Sequence, residues 1–445
     1  MVFSRSINSF LQKWFNGARR KPLLIRGARQ TGKTTAVREF AGNIPGYIEL
    51  NMEYPGEKRV FEQQLSVQDL LKSIQLSRNR TAPLKESLLF IDEIQACPAA
   101  IRYIRLFYEQ IPELAVIVSG SLLEVYLQHS GIEFPVGQVT SISMHPLSFR
   151  EYLHAFHRED IAALLNAVPI PDYAVPVVYK EYVKFVLAGG MPEATQAVLG
   201  GADAGEMKLL YSSLLVSFLD DIPKYASNRT MTEVIRHCLE SVPVETGSRI
   251  KFAGFGNSQY RSREVGEAMR MLQRAGLVSI VYPASNIKPP PKPNLRKSPK
   301  LFYLDSGLLA YSLGAQWSEA GTMDLNGAFN GVLAEQCIAQ ALVKSDTVLR
   351  FWARDSRGSN SKVDFVVQHR GKLIPVEVKS GATGRLRSLH RFIDECPHGY
   401  AVRFYSGPVQ VDDLRTPAGK DYSLLNMPHF LAGELSEYLN WFVKN

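Results

Sequence analysis

Ile7, Phe10, Leu11, Trp14 and Phe15 recur along one helical face, so the chain begins with an amphipathic helix that Asn16-Gly17 ends. Leu23-Leu24-Ile25 predicts a short buried strand leading into a loop bounded by Gly27 and Gly32, with a helix from Lys33 to about Phe40. Tyr47 to Asn51 alternates as a strand, and Phe61 to about Gln75 predicts a helix. Leu88 to Ile91 predicts a second buried strand, closed by Asp92-Glu93. Pro98 opens a helix through Tyr108, and Leu114 to Val118 predicts another strand. Apolar runs alternating with helical periods imply βαβ units and a parallel sheet covered on both faces, an α/β fold.

Beyond about residue 145 the rhythm becomes helical, over Ser148–Ala155, Tyr179–Leu187 and Glu206–Tyr225. Further helices between Thr230 and Tyr282 end with Glu264–Ala275, then Gly276 and a β-prone run, Leu277 to Val281. A helix, a glycine and a strand pair suit a winged-helix module. Asn286 to Lys300 is Pro-rich and carries Lys288, Lys292, Arg296, Lys297 and Lys300 with no acid. It reads as an exposed basic linker or wing. From Leu301 strands and helices mix to the end, without an internal repeat.

Composition narrows the class. The 445 residues are 45% hydrophobic and 21% charged, which excludes global disorder. The length allows roughly two to four domains. No apolar run approaches the roughly 18–20 residues of a membrane helix, and Met1 to Arg20 has the wrong order for a signal peptide. Cys97, Cys238, Cys337 and Cys396 are far apart and read as free thiols in a reducing compartment, so a cytoplasmic location is expected. His154 and His157 read as solvated or half-buried rather than as zinc ligands. A net charge of +8 favours polyanionic partners, nucleic acid before membrane.

Gly27-Ala-Arg29-Gln30-Thr31-Gly32-Lys33-Thr34 fits the phosphate-binding pattern GxxxxGK[ST], and Thr35 follows it. The glycines let backbone N–H groups turn inward around phosphate oxygens, and the helix N-terminus adds its positive end. Lys33 supplies a cation for the β- and γ-phosphates of ATP, and the Thr34 hydroxyl a ligand for Mg²⁺. Asp92, at the end of a buried strand, is aimed at the metal's water shell, and Glu93 is placed to polarise an attacking water. That doublet favours hydrolysis over transfer to a small acceptor. Ser119, ending the next strand, is a γ-phosphate sensor candidate or a plain strand-end turn.

Asp364 lies in an expected strand, Lys362–Gln368, and Glu377 and Lys379 share a face of another, Leu373–Lys379. A two-residue turn at Arg370-Gly371 sets Asp364 opposite Glu377, about 4.5–5.5 Å apart at Cβ. Two like charges there need a cation between them: a divalent metal or, more plainly, Lys379. The geometry resembles the PD-(D/E)XK nuclease core, in which Asp364 and Glu377 bind Mg²⁺ and Lys379 helps activate water. Glu335, on a helical stripe with Ile338 and Leu342, fits as a further acid. The alternative is a solvated acid on an ordinary sheet, or a scaffold whose chemistry is silent. Residues 288–300 are a candidate DNA clamp or a solvated linker, and Trp352, beside Arg354 and Arg357, is core or a base-stacking platform.

GARQTGKTT, LLFIDEIQ, VIVSGSLLEV, HPLSFREYL (His145–Leu153) and LAGGMPEA (Leu187–Ala194) resemble a prokaryotic family of AAA-type ATPases. Its members join this ATPase to a C-terminal domain of unknown function. LDDIPKYA (Leu219–Ala226), KLFYLDSGLLA (Lys300–Ala310), VDFVV (Val363–Val367) and PVEVKSG (Pro375–Gly381) are similar to that second domain. The resemblance implies an ATPase domain with a helical extension over 1–200 and a helical, winged-helix segment over 201–300. A nuclease-like α/β domain over 301–445 completes it. ATP, Mg²⁺ and DNA are the expected ligands, and a homo-oligomer the expected assembly. Gly137-Gln138 stands where relatives carry Gly-Arg, leaving Arg29 and Arg150 as alternative phosphate or interface arginines. The rival readings are an ATP-dependent binding switch and a small-molecule kinase.

Overall fold

The computed structural model describes residues 3–17, 20–80, 82–121, 123, 126–127, 136–224, 226–315, 328–345, 347–356, 359–381 and 386–444. Arg357 and the expected helix end at Tyr225 lie outside the described residues. The chain divides into two compact units: 1–146 with 223–225 and 274–277, and 147–222, 226–273 and 278–445. The helices from 149 to 199 therefore count with the second unit, whereas the sequence expectation attached them to the first.

In the first unit, α1 (Ile7–Phe15) precedes β1 (Leu23–Arg26), α2 (Lys33–Ala41), β2 (Gly46–Asn51), α3 (Pro55–Glu62), α4 (Val67–Ser77), β3 (Ser87–Asp92), α5 (Pro98–Gln110), β4 (Ala115–Ser119) and β5 (Thr140–Ser143). The described strands form one parallel sheet in the order β2-β3-β4-β1-β5. Side chains alternate across it: Leu23, Ile25, Leu88 and Phe90 pack with α1 and α2, while Leu24, Leu89 and Ile91 pack with α3, α4 and α5. Each such fully buried side chain stabilises the unit by about 1.5–3 kcal/mol. The expected helix over 61–75 is two helices. Gln64 takes a left-handed φ of 53°, and the Ser66 hydroxyl accepts the Asp69 N–H at 3.1 Å, capping α4. This sheet order sets β4 between β1 and β3, so the loop after β1 and the ends of β3 and β4 lie at one edge.

The second unit opens with α6 (Phe149–Ala155), α7 (Glu159–Leu164), α8 (Val175–Ala188), α9 (Pro192–Leu199), α10 (Ala204–Asp221), α11 (Arg229–Glu245) and α12 (Ser262–Arg274). β6 (Val278–Val281) pairs antiparallel with β8 (Lys300–Tyr303), and the short β7 (Pro283–Ala284) begins the segment between them. After α13 (Ser306–Ser312) and α14 (Ala328–Lys344) come β9 (Phe351–Ser356), β10 (Ser359–Val363), β11 (Phe365–His369), β12 (Lys372–Val378), α15 (Arg387–Glu395), β13 (Tyr400–Tyr405), β14 (Gln410–Arg415), β15 (Asp421–Pro428) and α16 (Leu435–Phe442). A mixed sheet runs β11-β12-β13-β15-β14, with β12, α15 and β13 as a parallel crossover.

The sequence expected one strand over 362–368. Two strands occupy it instead, because β10 pairs with β9 and β11 with β12, and Asp364 stands at the break. Asp305 ties two of the quoted motifs together. Its carboxylate accepts N–H groups from Gly190 at 2.7 Å, Gly307 at 3.0 Å and Leu308 at 3.2 Å, capping α13. Gly189 has a φ of 64°, and a Cβ there would lie 2.0 Å from Asp305 Oδ1, so this clasp requires Gly189, while a Cβ on Gly190 would meet the Leu147 carbonyl oxygen at 2.3 Å.

Candidate functional site

The loop between β1 and α2 is built as a cradle. Gly27 has a φ of 142°, and a Cβ on it would meet the Met144 carbonyl oxygen at 2.2 Å. Thr31 is fully buried, its hydroxyl donating to the Ala28 carbonyl at 2.9 Å. Arg5 braces the loop from outside, donating to the Thr31 carbonyl at 3.0 Å and to that of His145 at 2.6 Å. Lys33 bends back over the loop, its Nζ 3.0 Å from the Gly27 carbonyl and 2.8 Å from that of Ala28. Burial drives its pKa down to about 8 against the pull of Glu93 and Asp92, with Arg29 adding to the fall. Gln30, with a φ of 62°, and Thr35 are exposed on the loop and the first turn of α2, and Arg29 is partly buried.

Asp92 is buried at the end of β3, where three donors converge on it. Thr34 Oγ1 donates to Oδ2 at 2.7 Å, the Glu93 N–H donates to Oδ1 at 3.0 Å, and the Ser119 hydroxyl also donates to Oδ1. Glu93 follows with a φ of 48°, an uncommon backbone for a non-glycine residue. Its carboxylate accepts from Gln95 Nε2 and, at 3.3 Å, from Ser121 Oγ. Lys33, Thr34, Asp92, Glu93 and Ser119, nominated on three separate segments, therefore meet at one sheet edge. Arg5, Gln95 and Ser121 were not nominated; a lone arginine ahead of a helix and a glutamine after an Asp-Glu pair carry no spacing signal.

The residues fit a nucleotide and its metal. A glycine cradle, a buried ammonium and a hydroxyl–carboxylate pair are the donors and acceptors that phosphates and Mg²⁺ require. The arginine alternatives divide. Arg150 lies on α6, where its guanidinium donates to Glu434 at 2.8 Å and to Asn166 at 2.9 Å. Gln138 donates to Glu109 at 2.9 Å on an exposed face.

In the second unit the hairpin register agrees with the sequence reading. Phe365 pairs with Val376 and His369 with Lys372, and Arg370 and Gly371 take φ values of 43° and 72°, a left-handed two-residue turn. Asp364 and Glu377 are both buried there. The surrounding charges differ from expectation. Lys300, counted with the exposed basic segment, is fully buried, and its Nζ lies 2.5 Å from Glu335 Oε1 and 3.1 Å from Asp364 Oδ1. Burial opposes its charge, but Glu335 and Asp364 outweigh that and raise its pKa. Lys379 donates to Glu377 Oε1 at 2.6 Å, while burial and the nearby Asp364 push the Glu377 carboxyl up to about 8.

These side chains do not fit a divalent metal as they stand. Among the described residues no group of three His, Cys, Asp or Glu side chains is placed to hold a metal ion, and a lysine ammonium sits among the carboxylates. Of the expected metal ligands, Glu335 and Asp364 pair with Lys300, and Glu377 pairs with Lys379. Of the basic segment, Lys288, Lys292 and Arg296 are exposed, whereas Lys297 donates to the Ala353 carbonyl at 3.2 Å. Trp352 is core, 5% exposed and edge-on to Phe392. His154 hydrogen-bonds Glu159 at 2.6 Å.

Residues 19–153 match a family model described as an AAA domain. Two further models, each described as a domain of unknown function, match residues 179–319 (DUF8612) and 330–419 (DUF4143). No curated protein matches the chain. Among solved structures, a Walker-type ATPase of Pyrococcus abyssi is similar at 13% identity with a TM-score of 0.44, covering 70% of this chain and 96% of that one. The ORC2 protein of Aeropyrum pernix, solved in ADPNP–ADP complexes, aligns at 11% identity and a TM-score of 0.30, over 62% and 85% of the two chains. The RuvB Holliday junction branch migration motor of Thermotoga maritima aligns at 14% and 0.26, over 62% and 89%. The family match and the loop with its strand-end carboxylates define the first unit as an AAA-type P-loop ATPase domain. Among the described residues no helix is long and apolar enough to cross a membrane.

Proposed function

We propose that the protein is a Mg²⁺-dependent ATP hydrolase whose nucleotide cycle controls DNA binding by its C-terminal part. The observation that carries the ATPase reading is the convergence on Asp92: the Thr34 hydroxyl from the loop and the Ser119 hydroxyl from β4 both donate to one buried carboxylate. In this reading the loop N–H groups and Lys33 hold the β- and γ-phosphates, and Thr34 and Asp92 hold the metal. When bound, Mg²⁺ neutralises charge developing on the transferred phosphoryl group. Glu93, oriented by Gln95 and Ser121, polarises water and takes its proton. Ser119 reports on the γ-phosphate through Asp92. The two-hydroxyl arrangement with an adjacent glutamate supports hydrolysis over a small-molecule kinase. Four buried, unpaired cysteines support a reducing, cytoplasmic setting.

The DNA reading rests on Lys288, Lys292 and Arg296, exposed in a segment without an acid. Duplex binding should weaken with salt at a log–log slope near −0.9 per phosphate neutralised, becoming shallower when the three are replaced by Ala. Affinity should also differ between ATP-bound and nucleotide-free protein. A flat salt response, or equal affinity in both states, sinks the DNA-control reading. A second reading, an ATP-dependent binding module whose carboxylate cluster is catalytically silent, is favoured by one observation: Lys300 lies between Glu335 and Asp364.

A further inference from the structure

The carboxylate cluster of the second unit carries its own cation. Lys300 Nζ contacts Glu335 at 2.5 Å and Asp364 at 3.1 Å with no solvent exposure. The Phe351 and Phe365 rings lie under the ammonium, their centroids 5.5 and 5.8 Å away. Such a charge survives burial only when paired and hydrogen-bonded, and here it is. Two further oxygens are engaged, while Glu377 Oε2 is buried without a partner. Asp364 Oδ2 accepts the Val378 N–H at 3.0 Å, and Glu377 Oε1 accepts from Lys379 at 2.6 Å. The lysine backbone is fixed as well. Lys300 pairs with Val281 across the β6–β8 ladder and bridges Arg249, and its neighbour Pro299 accepts the Ile250 N–H at 2.8 Å.

A divalent ion bridging Glu335 and Asp364 would occupy the space where the ammonium makes its two contacts. It would also face that positive charge at short range in a poorly screened interior. We propose that Lys300 is a tethered counter-ion that takes the place of a divalent metal in the Asp364–Glu335–Glu377 cluster. The cluster thus holds no divalent metal and does not activate water for phosphodiester cleavage. This deepens the silent-module reading, naming the residue responsible and the species it replaces. Lys300 keeps the acids in one buried cluster without a dissociable cofactor, and Lys379 donates a hydrogen bond to Glu377.

The test is a Mn²⁺ titration, read by electron paramagnetic resonance, on the full chain carrying Lys33→Ala and Thr34→Ala to remove the first unit's metal site. This parent chain should show no site that Asp364→Asn abolishes. Adding Lys300→Ala should create one site per chain, tighter by at least about tenfold than any residual binding and lost again with Asp364→Asn. The same variant should melt at a lower temperature and be restored by Mn²⁺, since the metal replaces the missing charge. An Asp364-dependent site already present in the parent overturns the proposal, as does a folded Lys300→Ala chain that gains none. If Lys300→Ala does not fold, the parent comparison with and without Asp364→Asn still decides. Plasmid cleavage by the wild type that disappears in Lys379→Ala would instead defeat the silent-module reading. Mn²⁺ binding without cleavage defeats only the role of Lys300.

Discussion

ATP binding should take up a proton, and Lys33 should be the group that accepts it. The ammonium is 5% exposed, and burial lowers its pKa to about 8. An exposed lysine titrates near 10.4, so the depression corresponds to about 3 kcal/mol between the two protonation states. Phosphate oxygens beside the nitrogen favour the charged form and remove that penalty. Before binding, about one-tenth of the lysine is neutral at pH 7, about half at pH 8 and about nine-tenths at pH 9. Proton uptake per nucleotide should rise through the same fractions. Isothermal titration with a non-hydrolysable ATP analogue and excess Mg²⁺ measures this directly. The apparent enthalpy, plotted against buffer ionisation enthalpy, has the uptake as its slope. Lys33→Arg, whose guanidinium stays charged, should bring the slope to zero at pH 8. A zero slope for the wild type at pH 8 and pH 9, or an unchanged slope in Lys33→Arg, refutes the assignment of a buried, phosphate-facing ammonium.

Other substitutions probe the scaffold. Gly27→Ala places a Cβ 2.2 Å from the Met144 carbonyl oxygen at a φ of 142°, so binding of a fluorescent ATP analogue should fall steeply. Gly137→Ala, with nothing within 4 Å, should leave it unchanged. Asp305→Ala strands three backbone N–H groups inside the second unit at about 1–3 kcal/mol each, lowering the melting temperature on the order of 10 °C. Asp305→Asn, which keeps an acceptor, should lose less by calorimetry. Glu377 titrates at about 8 when folded against 4.5 when exposed, through burial first and Asp364 second. Its contribution to stability is therefore complete below about pH 4.5 and lost as pH rises to about 8. Urea midpoints across that window should fall with pH in the wild type, and less so in Glu377→Gln.

What was legible in the sequence follows from where the information lies. β1, β3 and β4 are buried on both faces, so Leu23–Ile25, Leu88–Ile91 and Leu114–Val118 read as continuous apolar runs. The loop and the Asp92-Glu93 doublet carry their chemistry in local spacing. So does the hairpin register, fixed by Arg370-Gly371. β5 escaped notice because Thr140–Ser143 is an edge strand with polar residues and partial exposure. The break between α3 and α4 falls in Gln63-Gln64-Leu65-Ser66, which has neither Gly nor Pro to mark it. Lys300 was misread for a different reason. Its charge blends into a basic segment, while its partners Glu335 and Asp364 lie 35 and 64 residues away and meet it only once β8, α14 and the break between β10 and β11 come together. Lys300 also begins the apolar stretch Lys300–Tyr303, whose buried strand character was the available sign that its side chain points inward.

In the proposed reading the first unit hydrolyses ATP with Glu93 as the water-activating group. Phosphate release by the wild type and by Glu93→Gln, with ATP binding measured on the same preparations, tests it most directly. Mg²⁺-dependent turnover is expected in the wild type, and comparable ATP binding in Glu93→Gln with turnover reduced at least about a hundredfold. Equal turnover in the two proteins, or a wild type that binds ATP with Mg²⁺ and releases no phosphate, contradicts it.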